Sequence, residues 1–113
     1  MTIQQAIARA KEMRPTAMSD ELLAEKIRVL DDEMAEMMGE EPNEFIYPVE
    51  YELKVTGSHA DIYTLYLVAQ IDLYNQEIAN YQNDFVVANT AINEAKAFYR
   101  RHHIPEQCGN WRI

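Results

Sequence analysis

The stretch from Ser58 to Tyr81 constrains this chain most, because no other segment free of proline and glycine is as long and as rich in apolar residues. On a helix, its apolar residues form two stripes. One stripe is Ile62, Tyr66, Ala69 and Leu73, and the other is Tyr63, Leu67, Ile71, Tyr74, Ile78 and Tyr81. A helix that is apolar on two sides leaves little polar surface, so we expect it to be buried among other helices. Ser58, three residues before Asp61, predicts a capping box at its start.

The segment before this central helix predicts two more helices. Thr2 and Gln5 form a second capping-box pattern, and Pro15 ends that first helix near Arg14. Ser19 is placed to cap the second helix, and Gly39 is placed to end it. Its apolar residues step by four and three along the chain: Leu23, Ile27, Leu30, Met34 and Met37.

A polar break at Asn80 and 82–84 separates the central helix from a fourth helix, with Asn83 or Asp84 as its cap, although one continuous helix is also possible. Small residues on the fourth helix favour an antiparallel hairpin with the central one. The sequence therefore predicts an all-α fold of about four helices, with a long central helical hairpin and one short extended segment. All of it belongs to a single domain, residues 1–113.

The extended segment is predicted from Val49, Tyr51, Leu53 and Val55, which alternate with charged residues. The chain offers no second convincing strand, and an unpaired strand exposes backbone donors and acceptors. Two interpretations stay open at this point. The segment pairs with a neighbouring subunit or another protein, or it lies as a linker over the helices.

Charge and composition exclude several classes of function. The formal net charge is −9, which argues against a general nucleic-acid binder, since phosphate contacts need a basic surface. The single cysteine, Cys108, cannot form an internal disulfide and fits a reducing compartment. No signal peptide or apolar run long enough for a membrane span is visible. We expect the chain to be made in a cytoplasm and not to bind membranes.

Candidate catalytic and metal-binding residues do not form a recognisable set. The acidic run 31–44 lacks the ligand spacing of a calcium loop, and we interpret it as a solvated face or a surface for a basic partner. Nothing completes a metal set with His102, His103 and Cys108. The three glycines form no phosphate-binding loop. The sequence predicts no catalytic, cofactor or metal site, and hence no enzyme.

Three features suggest contacts with a partner or with other copies. Arg100 and Arg101 lie in a basic helix end, which either complements the helix dipole or docks on an acidic surface. Trp111 is a large apolar group in the C-terminal tail, where it docks onto the domain or onto a partner. The apolar side of the extended segment is the third: Val49, Tyr51, Leu53 and Val55.

The C-terminal half also resembles a known family, the small head–tail connector (adaptor or head-completion) proteins of tailed phages and Gram-positive prophages. The matching residues are DIY at 61–63, YL at 66–67, QID at 70–72, YNQE at 74–77, Tyr81, Asn83, Phe85, Asn89, Tyr99, Arg100, His103 and Pro105. They are packing residues of a helical hairpin. The N-terminal half matches in its order of helices only, and the alternating segment 49–55 departs from the family.

The resemblance implies a mostly helical, non-enzymatic subunit of the phage neck, made in the bacterial host and located in the virion. About a dozen copies would form a ring between the portal protein and the next neck or tail protein, extending the channel through which DNA passes without specific binding. No cofactor is implied. The alternative is a helical protein-binding or regulatory module that acts as a monomer or dimer.

Overall fold

A computed structural model describes residues 1–44 and 52–102 of the chain. Within them lie four α-helices, α1 (Ile3–Met13), α2 (Asp20–Met38), α3 (Asp61–Tyr74) and α4 (Ile78–His102), and one short 3-10 turn, Gly57–His59. This part of the chain has no β-strand, only a single antiparallel bridge between Thr2 and Glu52. The all-α prediction with four helices is confirmed. Val49, Tyr51 and Trp111 lie outside the described residues.

The predicted starts of the first two helices are confirmed by their hydrogen bonds. The Thr2 hydroxyl accepts from the Gln5 backbone N–H, and the Gln5 side chain accepts from the Thr2 N–H, which completes the capping box. At α2 the Ser19 hydroxyl accepts from the Leu22 N–H at 3.1 Å. Each cap satisfies backbone donors that the first helical turn leaves unpaired.

Gly39 ends α2 as predicted, with a left-handed φ of 74°. A Cβ at this position would meet no atom within 4 Å, so the glycine is required by its backbone conformation and not by space. We expect Gly39→Ala to lower the free energy of unfolding by about 1–2 kcal/mol, the cost of a left-handed Cβ residue. Gly39→Asn should lose less, because asparagine tolerates this conformation. Urea denaturation of both variants checks this, and equal losses would contradict a backbone origin.

The predicted capping box at the start of the central helix is wrong. Ser58 lies inside the 3-10 turn, and the residue before α3 is Ala60, which makes no side-chain capping bond. Gly57 has a φ of 71°, a left-handed conformation that the other residues of this segment adopt less readily. The chain therefore enters α3 through a tight turn that moves Ser58 away from the capping position.

The end of the central helix also differs from the prediction. α3 stops at Tyr74, Gln76 has a φ of 62°, and α4 continues without a break through Asn80, Asn83 and Asp84. The break follows from tertiary contacts: the Asn75 side chain donates to the Pro15 carbonyl at 3.0 Å and accepts from the Thr16 hydroxyl at 3.1 Å. Polar residues do not interrupt a helix when their side chains face solvent, as those of Asn80, Gln82 and Asn83 do, or are paired, as Asp84 is with Arg14.

α3 is the centre of the core and contacts each of the other three helices. Tyr63, Leu67 and Ile71 on α3 are fully buried, and most of the apolar side of α1 is buried with them. The predicted stripe of α2 is buried up to Met34, and its last member, Met37, is partly buried. α4 packs along α3, and near its C-terminal end Phe98 contacts His59 with ring centroids 4.8 Å apart. The expected burial fails near the α3–α4 turn, where Leu73, Tyr74 and Ile78 are exposed.

The described part of the extended segment, residues 52–56, is held by this chain's own atoms. Four consecutive backbone N–H groups, from Leu53 to Thr56, donate to the Met1 carbonyl, an Asp31 carboxylate oxygen, the Tyr63 hydroxyl and the Tyr99 hydroxyl, respectively. Side chains therefore supply most of the acceptors that a second strand would otherwise provide.

Candidate interaction surface

Two of the predicted partner-contacting residues are buried inside the subunit. Leu53 and Val55 are 1% and 0% exposed, and both belong to the main hydrophobic core. The prediction that they contact another subunit is therefore wrong, because a neighbouring subunit cannot reach buried side chains. Their backbone N–H groups are also already hydrogen-bonded within the chain, to the Met1 carbonyl and the Tyr63 hydroxyl. Two interpretations of this segment were open, pairing with another subunit and lying as a linker over the helices. The described residues support the second.

The basic end of α4 meets an acidic surface of its own chain. Lys96 forms an ion pair with Glu33 on α2 at 3.3 Å, and Arg100 borders the same depression as Glu36 and Met37. Arg101 is exposed. Part of this basic charge is thus balanced within the subunit, and docking of Arg100 and Arg101 on another copy stays a prediction.

More than half of the exposed large apolar side chains of the described fold lie between α2 and the α3–α4 pair. Of nine such side chains, five line two adjoining depressions there: Leu22, Val29, Leu73, Tyr74 and Phe85. Isolated apolar groups are ordinary on protein surfaces, whereas grouped ones mark contact sites. This region is therefore the candidate interaction surface.

The depression between α2 and α4 is a shallow apolar groove with a volume of about 160 Å³. Buried side chains of Leu30, Ala88 and Ile92 form its floor, and exposed Val29 and Phe85 form its walls, with Tyr66 beside them. We call these six residues the α2–α4 groove. Burial, and then the charge of Glu33, raises the pKa of Tyr66, so its phenol stays neutral at physiological pH.

A second exposed apolar feature lies on α4. Val86 and Val87 are 62% and 51% exposed, and neither lines the groove. We call this pair the α4 ridge. Around the helix axis, Val86 lies about 100° and Val87 about 200° from Phe85, so the ridge faces away from the groove wall, with Val87 on the opposite side of α4.

The N-terminal half of α4 is almost without charge. Asp84 is the only charged residue among the sixteen from Ile78 to Asn93, although the chain carries −9 in total. Asp84 is itself paired with Arg14, whose guanidinium nitrogen lies 3.0 Å from its carboxylate. The ridge and the α4 side of the groove are therefore almost uncharged, on a subunit that is acidic overall.

Arg14 also binds a buried carboxylate beneath this region. Its Nε donates to Asp72 Oδ1 at 3.1 Å, and Asp72 is fully buried. The other oxygen, Asp72 Oδ2, has no hydrogen-bond partner among the described residues. Burial, followed by the nearby Asp84, raises the pKa of Asp72 to about 6, and Arg14 opposes that shift. The cluster joins the C-terminal ends of α1 and α3 to α4.

No protein-family model, curated protein or solved structure matches this chain. The described residues contain no group of three or more potential metal ligands. None of the helices in this part of the chain is both long and apolar enough to cross a membrane. The functional candidate that the geometry offers is the exposed apolar surface between α2 and the α3–α4 pair.

Sequence patterns alone did not identify this surface. Leu22 and Val29 are seven residues apart on α2, which places them on the same side of the helix but off the buried stripe. That spacing was a usable signal. The groove itself forms only where α2 lies beside α4. The pattern within one helix cannot predict this arrangement of two helices.

Proposed function

We propose that this chain is a non-enzymatic structural subunit that assembles with copies of itself, in the role of a head–tail connector of the phage neck. The observation that carries the proposal is the exposed apolar surface on α2 and α4, whose α4 side is almost uncharged in a subunit with a net charge of −9. Apolar groups grouped on a small domain are stabilised by association. Like-charged copies can approach each other closely where that charge is absent.

The resemblance to connector proteins supports the same proposal. Several of its matching residues hold the fold, among them Tyr63, Leu67 and Tyr99, which are buried. Phe85, another match, forms a wall of the α2–α4 groove. The matching set therefore includes residues of both the core and the candidate interaction surface.

The proposed location is the virion neck, between the portal protein and the next neck or tail protein. There, an acidic subunit suits a channel through which DNA passes, since acidic groups repel phosphates and do not retain them. The partners in this proposal are other copies of the chain, the portal and the adjoining neck protein.

Native mass spectrometry over a concentration series, at low and moderate salt, tests the proposal. We expect a closed species of high copy number, about a dozen, because contacts between unlike surfaces close into rings when the rotation permits. A stable dimer at every concentration would contradict the connector role and favour a helical binding module instead. A monomer that an isolated portal ring does not recruit would also contradict it.

A further inference from the structure

We infer that the subunits associate head to tail, with the α4 ridge of one copy seated in the α2–α4 groove of the next. The inference rests on the proposed function and specifies its contact surface. Its occupant is a second copy of this chain, and the contacting side chains are Val86 and Val87 on one copy and Val29 and Phe85 on the other.

The positions of the two surfaces determine the type of contact. Phe85 and Val87 project from opposite sides of α4, about 200° apart around its axis. A subunit that uses both surfaces therefore binds one neighbour on each side. Contact between unlike surfaces repeats from copy to copy, giving a ring when the rotation closes and a filament when it does not.

Charge identifies another copy as the occupant. No charged residue lies between Phe85 and Asn93 on the ridge helix. The two charged groups that border the groove, Glu33 and Lys96, are paired with each other at 3.3 Å. A basic or acidic partner would find no opposite net charge here, whereas a copy of this acidic chain avoids most of the repulsion that it meets elsewhere.

Size and polarity also match. The groove volume of about 160 Å³ is on the order of ten times the ~10–15 Å³ that one water molecule needs on the same measure, enough for an aliphatic side chain. Beside the ridge lie Asn83 and Thr90, uncharged groups that both donate and accept hydrogen bonds. Such a polar rim around an apolar centre is typical of protein interfaces.

Three variants test the contact. Val87→Glu changes the ridge, Val29→Glu changes the groove, and Met13→Glu is the control, since its position lies outside both surfaces. The three side chains are similarly exposed, at 51%, 56% and 49%, so each variant should fold. Native mass spectrometry and sedimentation velocity then compare their self-association with that of the unchanged chain.

We expect Val87→Glu and Val29→Glu each to weaken self-association by about a hundredfold or more, because each places an unpaired charge in an apolar contact. Met13→Glu should assemble normally. The decisive step is to mix the two impaired variants. The mixture retains one intact ridge and one intact groove, so it should form a heterodimer that cannot grow further. A contact between identical surfaces predicts instead that one of the two variants still associates with itself, without any mixing.

The possible results separate this inference from the connector role. If the unchanged chain forms rings and Val87→Glu forms them equally well, the ridge–groove contact is wrong and the connector role stands. If the unchanged chain forms open filaments that Val87→Glu abolishes, the contact is right and the ring is wrong. A chain that stays monomeric up to millimolar concentration overturns the contact, leaving recruitment by a portal ring as the test of the role.

Discussion

Asp31→Ala is expected to remove about 3–5 kcal/mol from the free energy of unfolding, because it strands several donors inside the core. Asp31 is only 1% exposed. Its carboxylate accepts from the Tyr63 hydroxyl at 2.7 Å, the Lys54 backbone N–H at 2.9 Å and the Asn43 side-chain amide at 3.2 Å. A loss of this size is a large part of the ~5–15 kcal/mol that stabilises a typical domain.

The expected damage extends from Asp31 to the segment 52–56. The Tyr63 hydroxyl donates to Asp31 and accepts from the Val55 N–H at 2.9 Å, so the carboxylate fixes the hydroxyl that in turn holds the backbone. Burial, and then the charge of Asp31, raises the pKa of Tyr63, which keeps the phenol in its donating form. Without the carboxylate, the Lys54 N–H loses its acceptor, and the Tyr63 hydroxyl is no longer fixed in position to accept from the Val55 N–H. Two of the four backbone hydrogen bonds that hold the segment are therefore lost or weakened.

The neighbouring Asp32 provides a matched control for this prediction. Asp32 is partly exposed, and its ion pair with Arg28 at 3.4 Å spans four residues of one helix. Such surface pairs contribute about 0.5 kcal/mol or less. Urea denaturation at pH 7 should therefore separate Asp31→Ala from Asp32→Ala by several kcal/mol. Equal losses would show that the Asp31 network does not stabilise the fold.

Asp31 also shows where sequence reasoning reached its limit. The sequence predicts that the acidic run 31–44 is a solvated or partner-binding face, and for Asp31 that prediction is wrong. The residue follows Ile27 by four positions and precedes Met34 by three, so it lies in the buried stripe of α2. Its helical position was readable from the sequence. Its partners were not, because Lys54 and Tyr63 are 23 and 32 residues away.

Local signals predicted the ends of the first two helices, but not the start of α3 or of α4. The caps at Thr2 and Ser19 and the stop at Gly39 depend on atoms within a few residues, and all three are confirmed. The end of α3 depends on Pro15 and Thr16, which contact Asn75 from about sixty residues away. The candidate surface has the same origin, since its groove forms between helices that are distant in sequence.

Asp72→Asn is expected to have the second large effect on the free energy of unfolding, and that effect should depend on pH. The pKa of Asp72 is about 6 in the folded chain, against about 3.9 in an unfolded one. Between these values the folded state binds more protons than the unfolded state, so stability falls as pH rises. The contribution of the Asp72 side chain to the free energy of unfolding is most favourable below pH 4. Above pH 6 that contribution is smaller by on the order of 3 kcal/mol.

Asparagine removes this titration and keeps the shape of the side chain. Its oxygen can still accept from Arg14 Nε, and its amide supplies a hydrogen where Asp72 Oδ2 has no partner. We therefore expect the stability of Asp72→Asn, relative to the unchanged chain, to rise steadily from pH 4 to pH 7. Urea denaturation at several pH values in this range measures the difference.

Asp61→Asn is the control for that pH series, because Asp61 is exposed and lies 3.5 Å from an exposed Arg9. Its stability relative to the unchanged chain should stay nearly constant between pH 4 and pH 7, since surface pairs are screened by water. Parallel pH profiles for Asp72→Asn and the unchanged chain would instead mean that Arg14 fully compensates the buried charge. In that case the pKa of Asp72 would be the same in the folded and the unfolded chain, and Arg14 would hold α4 equally well across this pH range.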